Sequence, residues 1–146
     1  MKNATRLHWP SIRTRLAGQG LTLTEYRRVV LGSLRTSGPL TVAELRVALA
    51  PRKPHRVTVY RTLESLERTG LVKTVRFRHE DEDRFELGEA VRPHHHHAIC
   101  ESCGTTQAIG GCRGSNLPLK LPRRFKAIAH QLEVYGLCAR CQRRAA

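Results

Sequence analysis

Two cysteine doublets constrain what the last third of this chain can become. Cys100-Glu101-Ser102-Cys103 directly follows four histidines, His94 to His97, and Cys138-Ala139-Arg140-Cys141 comes after thirty-four intervening residues. A C-x-x-C turn brings two thiolates to one side of a tight loop, which suits two corners of a tetrahedral ion. Two such turns supply the four soft ligands of a closed structural zinc (Zn2+) site. Disulfides or buried free thiols are the competing uses of the same residues. Zinc is favoured because the doublet repeats and the context reads as intracellular. Met1-Lys2-Asn3-Ala4-Thr5-Arg6 leads into no signal-type apolar core, and no apolar run approaches a membrane span. A cytoplasmic, reducing location without membrane association is therefore expected. A closed four-cysteine site does not need the adjacent histidines, which call for a separate explanation.

The chain's 146 residues suffice for one ordinary domain or two small ones, and the small lobes would lean on metal or a partner subunit. Charge separates the two ends. Residues 1–78 carry sixteen Lys/Arg against four acids, residues 79–92 two against six, and residues 93–146 eight against two. A basic excess concentrated in one lobe is the footprint of a polyanion partner, nucleic acid first.

Apolar spacing orders that basic lobe. Ser11 to Gln19 reads as a short helix ended by Gly18 and Gly20. Tyr26, Val29, Val30 and Leu34 fall at helical spacing after a cap within Thr22–Thr24, and that helix stops near Ser37-Gly38-Pro39. Thr41 with Glu44 forms a capping box for the next helix. A further helix runs from about His55 to Thr69, stopped by Gly70. The period then changes to that of a strand over Leu71–Phe77, followed by a charged turn and a second strand, Arg84–Leu87. Helices followed by a hairpin are the order of a winged helix-turn-helix, whose last helix enters the major groove. Arg56, Thr58, Tyr60 and Arg61 on that helix, with Arg27 from the earlier one, are the candidate DNA contacts. After a hinge at 89–93, the remainder reads as a small α/β unit with strands over Thr105–Ile109 and Phe125–Tyr135. The expected class is α+β: a winged-helix domain at 1–88 and a zinc-stapled domain at 94–146. No nucleophile or base with a recognised spacing accompanies the histidines, which argues against an enzyme.

Thr58-Val59-Tyr60-Arg61-Thr62-Leu63, Gly70-Leu71-Val72, Phe85-Glu86-Leu87, the histidine run into Cys100-x-x-Cys103-Gly104, and Tyr135-Gly136-Leu137-Cys138-x-x-Cys141 appear in one order. In that order they resemble the ferric uptake regulator (Fur) family across residues 21–141. The resemblance implies a homodimeric, metal-responsive repressor on double-stranded DNA with a palindromic operator, its carboxy-terminal domain mediating dimerisation. It places structural zinc on Cys100, Cys103, Cys138 and Cys141, a regulatory metal on Glu86, His95 and His97, and a second metal on His94, His96 and His130. Strand alternation agrees, since His95 and His97 share one face and His94 and His96 the other.

The departures are informative. The family's extra hinge carboxylate position is Ala108 here, and the positions of a further ligand, from the first lobe or the start of the wing, carry Pro39 and Lys73. His79, Asp81, Asp83 and Glu89 are open candidates to complete that site. Ser115 stands at the second site's usual glutamate, with Cys112 nearby as a softer donor. Residues 113–123 lack the amphipathic helix that normally follows. Replacing carboxylates by histidine and cysteine favours zinc at the regulatory site over ferrous iron or manganese, pointing to the zinc-sensing (Zur-like) branch. Iron-, manganese- and peroxide-responsive members, and a zinc-ribbon binder without sequence preference, are the alternatives.

Overall fold

The computed structural model describes residues 6–78, 80–110, 120–128 and 130–145. His79, Cys112 and Ser115, and most of 113–123, therefore lie outside the described residues. The chain divides into two compact units, Met1–Pro93 and His94–Ala146.

The first unit begins with α1 (Trp9–Ala17), α2 (Glu25–Ser37), α3 (Val42–Ala48) and a single 3-10 turn, Ala50–Arg52. Then come α4 (Arg56–Arg68), β1 (Val72–Val75) and β2 (Arg84–Leu87). Helix α1 starts two residues before the expected Ser11, because the His8 ring accepts from the Ser11 amide and Pro10 fits the first turn, where no amide donor is needed. Thr24 caps α2 through the Arg27 amide. The Thr41–Glu44 capping box forms in both directions, Thr41 N–H to Glu44 at 2.8 Å and Glu44 N–H to Thr41 at 3.2 Å. Gly70 ends α4 with φ +71°, a left-handed conformation that a side chain would strain.

One apolar core joins these elements. Ile12 and Leu16 of α1, Val30, Leu31 and Leu34 of α2, and Val42 and Leu45 of α3 meet Val59, Leu63 and Leu66 of α4 and Leu87 of β2. Each fully buried leucine contributes about 2 kcal/mol. The hairpin pairs antiparallel with Lys73 opposite Glu86 and Thr74 opposite Phe85. Leu40 and Phe85 exchange backbone bonds of 2.9 and 2.8 Å, so the α2–α3 connection becomes a third short edge of the wing. Strand β1 is shorter than the expected 71–77, and Arg76 pairs instead with Asp83 across the wide charged turn. Residues 88–92 fold back as a turn, with Val91 and Arg92 amides both 3.0 Å from the Gly88 carbonyl and Val91 packed on the core. A methyl group on Gly88 would sit 2.2 Å from the Gly70 carbonyl oxygen, so the backbones approach closely only because Gly88 has none.

The second unit is a three-stranded sheet in the order β4-β3-β5, followed by α5 (Ala139–Ala145). The central β3 (His96–Cys100) pairs antiparallel with β4 (Thr106–Ile109) and parallel with β5 (Glu133–Gly136). The expected long strand over 125–135 is confined to its end. Phe125 sits in a turn bonded to the Pro122 carbonyl at 3.0 Å, and Arg124 has φ +71°. The ladder stops at Leu132 because its amide donates to the His96 ring at 3.2 Å. Phe125, Ile128 and Leu132 are instead exposed at the surface. Helix α5 was not anticipated. It is too short for an apolar period, and its visible signal is only the second doublet.

Candidate metal centres and nucleic-acid interface

The parallel register of β3 with β5 builds the cysteine site. Ile99 lies opposite Tyr135 and Cys100 opposite Gly136, so the first doublet leaves β3 beside the point where the second leaves β5. Gly104, with φ +69°, returns its amide to the Cys100 carbonyl at 2.8 Å and closes the first knuckle. The Gln142 amide bonds the Cys138 carbonyl at 2.9 Å and starts α5, which carries Cys141. The donor atoms of Cys100, Cys103, Cys138 and Cys141 all lie within 4.8 Å of one another.

Cys103 Sγ and Cys138 Sγ are 3.7 Å apart, far beyond the roughly 2.05 Å of a disulfide. Two sulfurs each about 2.3 Å from a tetrahedral zinc stand about 3.8 Å apart. The four cysteines therefore fit zinc and not two disulfides. The protein supports thiolates at Cys100 and Cys103. The Cys138 amide donates to Cys100 Sγ at 3.3 Å and is the main reason the Cys100 pKa is lowered. The Thr105 hydroxyl and amide pull Cys103 down to about 5, and Arg140 lies beside Cys103 as a cation. The Ser102 hydroxyl pulls Cys141 down, but its hydrogen bond with Cys103 and its burial prevail, and it is pushed up to about 11. Thr105 and Arg140 were not singled out from sequence, since nothing local marks a residue that supports a ligand.

A second cluster lies in the same unit. His94, His96 and His130 bring their donor nitrogens within 4.8 Å of one another, and His94 Nε2 is 3.1 Å from His130 Nε2. Nitrogens each about 2.1 Å from a tetrahedral ion would lie about 3.4 Å apart. Burial lowers the His96 pKa, and the neighbouring His94 and His130 lower it further, which keeps a lone pair available. On the other face of the run, His95 and His97 are buried with ring centroids 5.0 Å apart. Glu86, from the first unit, is fully buried on β2 and pairs with Lys73 Nζ at 3.1 Å. The sequence marked Lys73 only as a residue unable to bind metal.

Among the candidate DNA contacts, Arg56, Thr58, Tyr60 and Arg61 lie exposed on the first turns of α4. The Arg56 guanidinium donates to the Tyr60 hydroxyl at 3.3 Å, which is the main reason its pKa is raised. Arg27 is placed differently. Its guanidinium bonds the Thr22 carbonyl at 2.6 Å and the Ser65 hydroxyl at 3.2 Å, tying α2 to α4.

A basic winged helix followed by a sheet closed by four cysteines, with histidine clusters on that sheet, defines a metal-binding DNA regulator. The model of the ferric uptake regulator family matches residues 18–135, and the chain belongs to that family of metal-responsive transcription regulators. It is 29% identical to a ferric uptake regulation protein of Synechococcus elongatus over 140 residues, covering 91% of this chain and 94% of that one. It is 33% identical to a zinc uptake regulation protein of Mycobacterium tuberculosis over 87 residues, covering 58% and 65%. The fold matches the ferric uptake regulator of Helicobacter pylori with TM-score 0.70 at 21% identity, covering 96% and 97%. Among the described residues no helix is long and apolar enough to cross a membrane.

Proposed function

We propose that this family member is a zinc-responsive repressor that acts as a homodimer on a palindromic operator. The observation that carries zinc is the donor set. Three imidazoles, His94, His96 and His130, converge with no carboxylate among the described residues of that cluster, and two more, His95 and His97, give the proposed sensing set two nitrogens against the one carboxylate of Glu86. Nitrogen donors suit zinc better than they suit manganese. In this reading Cys100, Cys103, Cys138 and Cys141 hold a permanent zinc. His95 and His97 with Glu86 hold the sensed ion, and His94, His96 and His130 a further one, joined by Cys112. Bound metal supplies bonds that exist only when those ligands come together, which selects one arrangement of the DNA-binding units. Arg56, Thr58, Tyr60 and Arg61 then face the major groove. Arg27 acts by holding α4 in place through Ser65.

The test is metal content after purification without added metal, followed by binding to the protein's own promoter DNA with zinc, ferrous iron or manganese. Zinc is expected to support binding at the lowest free concentration. Equal binding by the metal-free and loaded protein would sink the sensing reading, and preference for ferrous iron would sink zinc.

Dimerisation is supported by the surface of the second unit. Leu121, Phe125, Ile128, Leu132, Val134 and Leu137 are all exposed, Ile128 at 96%. So many large apolar side chains on so small a unit mark an interface. Val134→Asp on β5 is expected to convert dimer to monomer by sedimentation equilibrium, with the sheet retained. A dimer of unchanged affinity would place the interface elsewhere.

A further inference from the structure

The pair formed by Lys73 and Glu86 has a consequence for metal binding. The two residues face each other across the hairpin, one on β1 and one on β2, in direct register. Lys73 Nζ lies 3.1 Å from Glu86 Oε1; the carboxylate side chain is 0% exposed and the lysine side chain 33%. A carboxylate removed from water this completely is costly unless a cation stands beside it. Here the chain supplies that cation itself. Lys73 cannot ligate while protonated, since an ammonium has donors and no lone pair.

We propose that Lys73 is a tethered internal cation that substitutes for the regulatory metal in the metal-free protein and sets the threshold at which metal displaces it. The inference rests on the assignment of Glu86, His95 and His97 as the regulatory ligands. In the metal-free state the ammonium offsets the burial of the Glu86 carboxylate and holds it in place. An incoming dication meets one of two situations. Either the ammonium leaves Oε1 and its ion pair is lost, or it stays and repels the dication through a poorly screened path. Both weaken metal binding. Lys73 therefore opposes loading, and raises the free metal concentration needed to switch the protein.

The test is competition of the full-length dimer, with its cysteine zinc intact, against a chromophoric zinc chelator. The zinc equivalent of interest is the one lost in His97→Ala. Lys73→Met is expected to bind that equivalent at least tenfold more tightly than wild type. The metal-free form of the same variant is expected to melt several degrees lower, because its buried carboxylate has lost its cation. Lys73→Arg keeps the charge and is expected to restore the wild-type affinity. Opposite movement of affinity and metal-free stability is the signature, since a merely structural lysine would lower stability without tightening zinc. Lys73→Gln repeats the measurement if the methionine variant does not fold. Unchanged or weaker zinc binding in the neutral variants, with Glu86→Gln still weakening it, would overturn the role of Lys73 alone. Zinc binding unaffected by both Glu86→Gln and His97→Ala would overturn the regulatory-site assignment, and this proposal with it.

Discussion

Cys103→Ser is expected to unfold the second unit while the first remains folded. The reason is the contrast between the two cores. The first unit buries a continuous cluster drawn from all four of its helices and both strands of its hairpin. In the second, the buried hydrophobic residues among those described are Ile99, Cys100 and Cys141, and two of these are cysteines of the metal site. Burial of one isoleucine contributes about 2 kcal/mol, which cannot offset the entropy of ordering a unit this size. Structural zinc contributes on the order of 10–16 kcal/mol in comparable small folds. Removing one thiolate also frees the parallel β3–β5 pairing, whose closing loop of more than thirty residues is costly to order. Hydrogen exchange provides the check. Amides of β3, β4 and β5 should lose protection while those of α2 and α4 keep theirs, and zinc content should fall together with dimerisation. A Cys103→Ser protein that stays dimeric, with a protected second sheet, would remove zinc from the structural role. Chelation of the wild-type protein should reproduce the loss, and readdition of zinc should reverse it.

His97→Ala should produce the largest functional change with the fold intact. His97 is buried on β3, opposite Ala108 on one side and Glu133 on the other. Its backbone pairing does not depend on the imidazole, so alanine preserves the strand. Losing the ring removes a ligand from the proposed regulatory ion and leaves the four cysteines untouched. Coupling between an effector and a second ligand is typically 1–3 kcal/mol, so the variant is expected to lose operator affinity by about a hundredfold in the presence of zinc. Metal-free wild type and metal-free variant should bind alike. The informative combination is retained dimer, retained cysteine zinc and lost metal dependence, read by gel shift, sedimentation and metal analysis of one preparation. A variant that still responds to zinc as wild type does would move the switch away from His97.

Much of this protein is legible in short stretches, because the determining chemistry is local. The Thr41–Glu44 capping box, the positive φ at Gly70, the apolar stripes of α2 and α4, and the two C-x-x-C turns each involve residues within a few positions of one another. A sequence window contains everything such features require. The strand expected over 125–135 shows the limit. Its alternation is genuine, but alternation describes which residues share a face, not whether a partner edge exists. Here the His96 ring takes the Leu132 amide and ends the ladder, and a side chain thirty-six residues away is invisible to a local pattern.

The sequence by itself determined the ligand types, their grouping in doublets and in a histidine run, and the helix order of the basic unit. These follow from residue chemistry and from spacing along the chain. Only the tertiary structure decided that the two doublets meet, since that depends on the parallel register of β3 and β5. It also decided that Arg27 braces α4 and that Lys73 neutralises Glu86. Those pairings are set by how elements pack once their apolar faces are buried, and packing fixes partners that no spacing along the chain can name.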